Sequence, residues 1–156
     1  MSWLAALVHT HNDGLRLGRC LETLYPCDEL VIVDHGSCDA TLHIAREYGA
    51  KIVIAKAGHF SHFPINEASW LLCLRASESI SEALAASLYE WKSAVHDGGS
   101  AFSMLIREET SHGWLDNREA ETRLVPSTWG RWNGFLPMRD ASASALQGEI
   151  LRFSVP

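Results

Sequence analysis

Apolar positions in the first half of the chain fall into short unbroken runs, at residues 3–9, 30–33, 51–54 and 70–74. None of these runs alternates with polar positions. That pattern predicts strands buried on both faces, as in a parallel sheet covered by helices. Between the runs, apolar residues recur at helical spacing: Leu17, Leu21 and Leu24, then Leu42, Ala45 and Tyr48. Asn12 or Asp13 stands where the first helix needs a cap, and Asp39 where the second does. Pro26 stops the first helix and Gly49 fits the position just past the second. The resulting β-α-β-α-β order predicts parallel strands joined by right-handed crossovers.

The second half reads differently. Ser79-Ile80-Ser81-Glu82 has the form of a capping box, with Ser79 as the cap. A long helix follows it, with Leu84, Leu88, Trp91 and Val95 on one face, ended by Asp97-Gly98-Gly99. Residues 101–107 and 121–125 read as strands on either side of a polar, acidic loop. Residues 127–137 are rich in Trp, Gly and Pro, and residues 138–156 read as a loose tail with at most one terminal turn or strand. One domain over residues 1–137 is the expectation, its later strands mixed in direction.

Charge and cysteine usage narrow the class. A formal charge of −6 argues against a nucleic-acid or anionic-membrane surface, which would need a basic patch. Cys20, Cys27, Cys38 and Cys73 form no Cys-x-x-Cys pair, which suits free thiols in a reducing cytoplasm. The apolar start lacks a basic flank and reads as a strand rather than a signal peptide. No run reaches membrane-spanning length. A cytoplasmic protein is expected, its oligomeric state open.

Three predicted strand ends carry polar loops to one sheet edge: Thr10, His11, Asn12 and Asp13; then Asp34, Gly36, Ser37 and Asp39; then Arg75 to Glu78. In open α/β sheets ligands lie outside the carboxyl ends of the strands. A carboxylate there can accept from a base or from ribose hydroxyls, and backbone N–H groups can face phosphate. No Gly-x-Gly-x-x-Gly or P-loop is present to mark another nucleotide-binding class.

With those residues in view, the chain resembles a family 2 glycosyltransferase of the GT-A fold. The likeness rests on Ala6-Leu7-Val8-His9-Thr10-His11-Asn12-Asp13, Cys20-Leu21-Glu22-Thr23-Leu24, Val31-Ile32-Val33-Asp34-His35-Gly36-Ser37-Cys38-Asp39-Ala40-Thr41 and Ile44-Ala45-Arg46-Glu47-Tyr48-Gly49-Ala50-Lys51. It implies a Rossmann-like, mostly parallel sheet with helices on both faces and a truncated C-terminal part. It also implies a UDP- or GDP-type nucleotide-sugar donor held at Thr10–Asp13 and Asp34–Asp39, with a glycan or small-molecule acceptor.

The resemblance breaks after the fourth strand. Where the family carries Asp-Ala-Asp-Glu, this chain has Arg75-Ala76-Ser77-Glu78, so the Mg²⁺ or Mn²⁺ site is expected to be lost. Where the family often has Arg-Asn-x-Ala, this chain has Ile65-Asn66-Glu67-Ala68. Arg-Leu and Trp-x-Gly segments persist at Arg123-Leu124 and around Trp129 to Gly134, but Phe135-Leu136-Pro137 replaces a His-Glu pair suited to general-base work. Two readings follow. Arg75 stands in for the metal and hexosyl transfer continues, with Glu78 either orienting the acceptor or starting the next helix. Alternatively the chain is an inactive pseudo-glycosyltransferase serving as a binding or interaction module. His59-Phe60-Ser61-His62, with His35, offers imidazoles for a metal but no third fixed ligand. Trp129 and Trp132 suit stacking on a sugar or packing under a loop.

Overall fold

Three parallel strands and two short helices carry the first third of the chain, in the order its hydrophobic runs predict. They are β1 (Leu4–Thr10), α1 (Leu17–Glu22), β2 (Glu29–Asp34), α2 (Thr41–Glu47) and β3 (Lys51–Ile54). The computed structural model describes residues 2–56, 70–117 and 119–156. Beyond β3 come β4 (Trp70–Arg75), β5 (Glu78–Ile80), α3 (Glu82–Ser93), β6 (Phe102–Thr110), β7 (Gly113–Asp116), β8 (Glu121–Pro126), β9 (Trp132–Asn133), β10 (Leu136–Pro137) and β11 (Ser144–Arg152). The main sheet runs β3-β2-β1-β4-β8-β6-β11-β5, with β7 paired to β6, and β9 and β10 form a separate hairpin. Pairing is parallel from β3 to β4, then antiparallel at β8 and at its junction with β6. An α/β sheet with a mixed second half matches the expected fold class.

The described helices do not cover both faces. Leu17 and Leu21 of α1, Ala45 of α2, and Leu84, Leu88 and Trp91 of α3 all join one core with Leu4, Ala6, Val8, Ile32 and Leu72. Strand order 3-2-1 advances in one direction, so right-handed crossovers must place α1 and α2 on the same side. On the opposite face Ala5, Leu7, Val31, Val33, Leu71 and Cys73 pack instead against Trp129, Trp132 and Leu136.

Several local expectations also change. Neither Asn12 nor Asp13 caps α1 through its side chain; the Asp13 carbonyl accepts from the Arg16 and Leu17 N–H groups. Gly49, at φ 70°, closes α2 as expected, with Gly49 and Ala50 donating back to the Arg46 and Ala45 carbonyls. The cap of α3 is Ser81, whose hydroxyl accepts from Leu84 N at 3.1 Å, because Ser79 is held in β5. That helix ends at Ser93, and Val95 lies beyond it, exposed. The acidic stretch is no open loop, since β6 and β7 pair as a hairpin from Arg107↔Asp116 to Thr110↔Gly113. The segment read as a loose tail holds β11, a nine-residue strand inserted between β6 and β5.

Strand β11 also fixes the start of α3. Ser81 Oγ accepts from Glu149 N, and Ser81 N donates to the Glu149 carbonyl. Gly148 sits beneath that turn at φ 96°, and a Cβ there would fall 2.2 Å from Leu84 N and 2.5 Å from Leu84 Cα. Only glycine satisfies both the backbone conformation and the contact.

The ladder between β4 and β8 ends at Leu72↔Leu124. Past that point β8 continues to Glu121 without backbone pairing to β4, and two side chains make the hydrogen bonds instead. Arg123 Nη1 donates to the Cys73 carbonyl at 3.1 Å, and Arg75 N donates to Glu78 Oε1 at 2.8 Å. Arg123 and Glu78 are themselves bonded in a fork, at 2.7 and 2.9 Å, and are 1% and 0% exposed. Arg152 of β11 donates to Glu78 Oε2 at 3.0 Å, and Glu121 accepts from both arginines. Burial alone would raise the Glu78 carboxyl, but its bonds to Arg123, then the Arg123 charge, the Arg75 N–H and the Arg152 charge hold it below the usual range.

Two predictions follow from this packing. Gly148→Ala should destabilise the protein by about 3 kcal/mol, read as a shifted urea midpoint at constant slope. Glu78→Gln should cost about 3–5 kcal/mol by leaving the buried Arg123 to share the half-exposed Glu121 with Arg152, whereas the paired change Glu78→Met with Arg123→Met should cost far less. Because the folded Glu78 pKa is depressed, its stabilisation is complete above the ordinary glutamate range and is lost as pH falls through the folded value. Thermal scans down to about pH 3 should show a steeper loss for the wild type than for the Met pair.

Candidate functional site

Register brings the three strand ends together. Thr10 lies opposite Asp34 across β1 and β2, and His9 opposite Arg75 across β1 and β4. Alternation then divides the edge between the two faces of the sheet. Thr10 and Asp34 follow Val8 and Ile32 on the helix side; His9, His35 and Arg75 follow Leu7, Val33 and Cys73 on the hairpin side.

On the helix side the β1–α1 and β2–α2 loops are bonded into one unit. Asp34 is buried, and Oδ1 accepts from Thr10 Oγ1 at 2.8 Å and Ser37 Oγ at 2.5 Å, while Oδ2 accepts from Ser37 N at 3.0 Å. Burial would raise its carboxyl, but the Ser37, Thr10 and Gly36 bonds outweigh that and lower it. Ser37 Oγ in turn accepts from Asn12 N, and Cys38 N donates to Asn12 Oδ1 at 2.7 Å. Asn12 adopts φ 53° to make both bonds, a left-handed conformation that asparagine tolerates well. Asp39 accepts from Thr41 Oγ1, Gly14 N and Thr41 N, which lowers its carboxyl. Asp13 N donates to Thr41 Oγ1, and the Asp13 carboxylate accepts from His11 N and pairs with Arg16 at 2.9 Å. The acids of this edge hold the loops in shape, and His11, Asn12, Gly36, Cys38 and Asp39 are exposed there.

On the hairpin side lies a cavity of about 250 Å³, lined by His9, Leu74, Arg75, Asn133, Gly134, Phe135 and Leu136. His9 Nδ1 and His35 Nε2 lie 2.8 Å apart and share one proton, and His11 Nδ1 donates to the His35 carbonyl at 2.7 Å. Burial, then the neighbouring His35, lowers His9 to about 4, so it is neutral at ordinary pH. Phe135, at the tip of the β9–β10 hairpin, stacks on His9 with centroids 4.2 Å apart. Arg75 is the one charged side chain among the described residues of this lining. A larger groove, about 580 Å³, lies at the opposite ends of β2 and β3, away from these groups.

The eight residues expected at the nucleotide edge lie together in the two bonded loops, and Arg75 ends the neighbouring strand on the other face of the sheet, beside His9. Glu78 is elsewhere: it neither faces the edge nor starts α3, but lies buried under β4. Trp129 and Trp132 pack against the core and donate to the Arg131 and Trp129 carbonyls, as a pair under a loop. His59, His62 and residues 65–68 lie outside the described residues. The β4–β5 turn does not suit a divalent cation, since Arg75 is itself a cation and the Glu78 carboxylate is held by Arg123 and Arg152. Among the described residues no group of three or more His, Cys, Asp or Glu side chains is placed to hold a metal. Sequence reading missed the His9–His35–Phe135 stack, although alternation beyond the apolar runs puts both histidines on the face of Arg75.

No family model matches the chain. An uncharacterized glycosyltransferase of Rickettsia typhi is 29% identical over 90 residues, which cover 54% of this chain and 31% of that protein. The lipopolysaccharide core biosynthesis glycosyltransferase LpsC of Rhizobium meliloti is 42% identical over 45 residues, 29% of this chain and 17% of LpsC. The matched regions thus span less than a third of the length of these curated relatives. Among solved structures, S. aureus TarS aligns with a TM-score of 0.54 at 17% identity, over 80% of this chain and 28% of TarS. In sequence the chain is similar to proteins named glycosyltransferases, and in fold to part of TarS.

Proposed function

We propose that this domain binds a nucleotide-diphosphate sugar of UDP or GDP type and belongs with the family 2 glycosyltransferases. The bonded loops at Thr10–Asp13 and Asp34–Asp39 receive base and ribose, and Arg75 supplies the positive charge that the family takes from a divalent metal. The observation that carries this reading is the register of His9 with Arg75 beside Thr10 with Asp34, which sets a fixed cation next to the loops. In transfer, an acceptor hydroxyl oxygen bonds the anomeric carbon and gives its proton to water as the bond to the leaving phosphate oxygen breaks. A guanidinium can fork onto that phosphate and offset its growing charge.

A second reading, binding without transfer, draws on a specific feature. The described residues lining the cavity include no carboxylate to take the acceptor proton. Purified protein that binds donor but neither hydrolyses nor transfers it fits this second reading; turnover that persists in EDTA fits the first.

Calorimetric titration with UDP- and GDP-sugars, with and without EDTA, tests the proposal. One series should bind with an affinity that EDTA leaves unchanged. Arg75→Ala should weaken it by about 1.5–3 kcal/mol, the range for hydrogen bonds to charged groups. A strict need for Mn²⁺ would rule out the role of Arg75, and no binding by either series would rule out the nucleotide site.

A further inference from the structure

Resting on the reading of Arg75 as a phosphate-facing cation, we infer that Glu78 and Arg123 are positioning residues for it, acting as a substitute strand for the end of β4. The ladder between β4 and β8 stops at Leu72↔Leu124, leaving the last three residues of β4 without backbone pairing on that edge although β8 itself runs on to Glu121. On its other edge β4 stays paired with β1 through His9↔Arg75. A strand end paired on one side only frays, since its unpaired N–H and C=O groups turn to water. Here those groups have partners: the Cys73 carbonyl takes Arg123 Nη1 and the Arg75 N–H takes Glu78 Oε1. The two side chains close the gap with their own forked bond, and Arg152 and Glu121 lock it from β11 and β8.

Mere stability is a weak reason for such a pair, because desolvation offsets most of the attraction between buried charges. Geometry is the stronger one. The pair bonds backbone on both sides of Leu74, so the direction in which Arg75 leaves the sheet is set by buried groups rather than by its exposed surroundings. Positioning residues of this kind matter because a guanidinium displaced by an ångström loses its forked contact.

The test is a double-mutant cycle read on two ligands, UDP and uridine, or GDP and guanosine for a guanine-specific site. Glu78→Met with Arg123→Met removes the pair without stranding a charge. It should weaken UDP by about 12- to 160-fold, the same loss expected of Arg75→Ala, add nothing further in an Arg75→Ala background, and leave uridine within about twofold. Arg123→Lys, which keeps the charge but not the fork, should give a smaller loss for UDP alone and serves where the Met pair fails to fold. Unchanged UDP affinity in these variants overturns the inference. So does an equal loss for uridine, or full additivity with Arg75→Ala. Wild-type protein that binds neither diphosphate defeats the underlying nucleotide reading instead, and does so before any substitution is made.

Discussion

A forked bond between Glu78 and Arg123, sealed from water, is the constraint on which the rest of this structure depends. Its members come from β5 and β8, its third arm is Arg152 of β11, and its backbone partners are Cys73 and Arg75 of β4. Four strands thus meet at one carboxylate, two of them through arginines 45 and 74 residues away in sequence. Stranding either charge would be expensive in free energy, which couples the ordering of the C-terminal strand to that of the strand bearing Arg75. The glycine beneath α3 plays a similar part on the other side of β11, by letting helix and strand approach to backbone contact.

The candidate site inherits its division from the pleat of the sheet. On the helix side, carboxylates and hydroxyls are used almost wholly in joining two loops, so that what faces outward is a rigid rim rather than a set of unpaired acids. On the hairpin side, a neutral histidine, an aromatic ring, an amide and a guanidinium enclose a small cavity. That surface is rich in hydrogen-bond donors and poor in carboxylates, the opposite of what a divalent cation needs and compatible with an anionic ligand.

Much of this was legible in the chain itself, for identifiable reasons. Runs such as Val31-Ile32-Val33 mark buried parallel strands without help from tertiary contacts, and they led directly to the polar loops at the strand ends. Gly49 marked a helix end because its backbone conformation is local. What escaped notice was non-local. Glu78 reads as an acceptor-orienting acid or as the start of the next helix because the partners that bury it, Arg123 and Arg152, lie 45 and 74 residues away. Ser79 looked like a cap because nothing nearby shows that β11 draws it into a strand. Residues 138–156 looked loose because Ala-Ser repeats carry little hydrophobic signal, although their backbone completes the sheet. The helices' shared face follows from strand order, which periodicity does not reveal.

These elements converge on one proposal: Arg75, whose backbone N–H is held by a buried ion pair, supplies the positive charge for a nucleotide seated on the neighbouring loops. The most direct measurement is a crystal structure of the protein soaked with UDP or GDP in the presence of EDTA. The account predicts nucleotide at the Thr10–Asp13 and Asp34–Asp39 rim, with the Arg75 guanidinium about 2.7–3.0 Å from a pyrophosphate oxygen. Nucleotide bound with Arg75 turned to solvent, or diphosphate seated on a metal elsewhere on the edge, would contradict it.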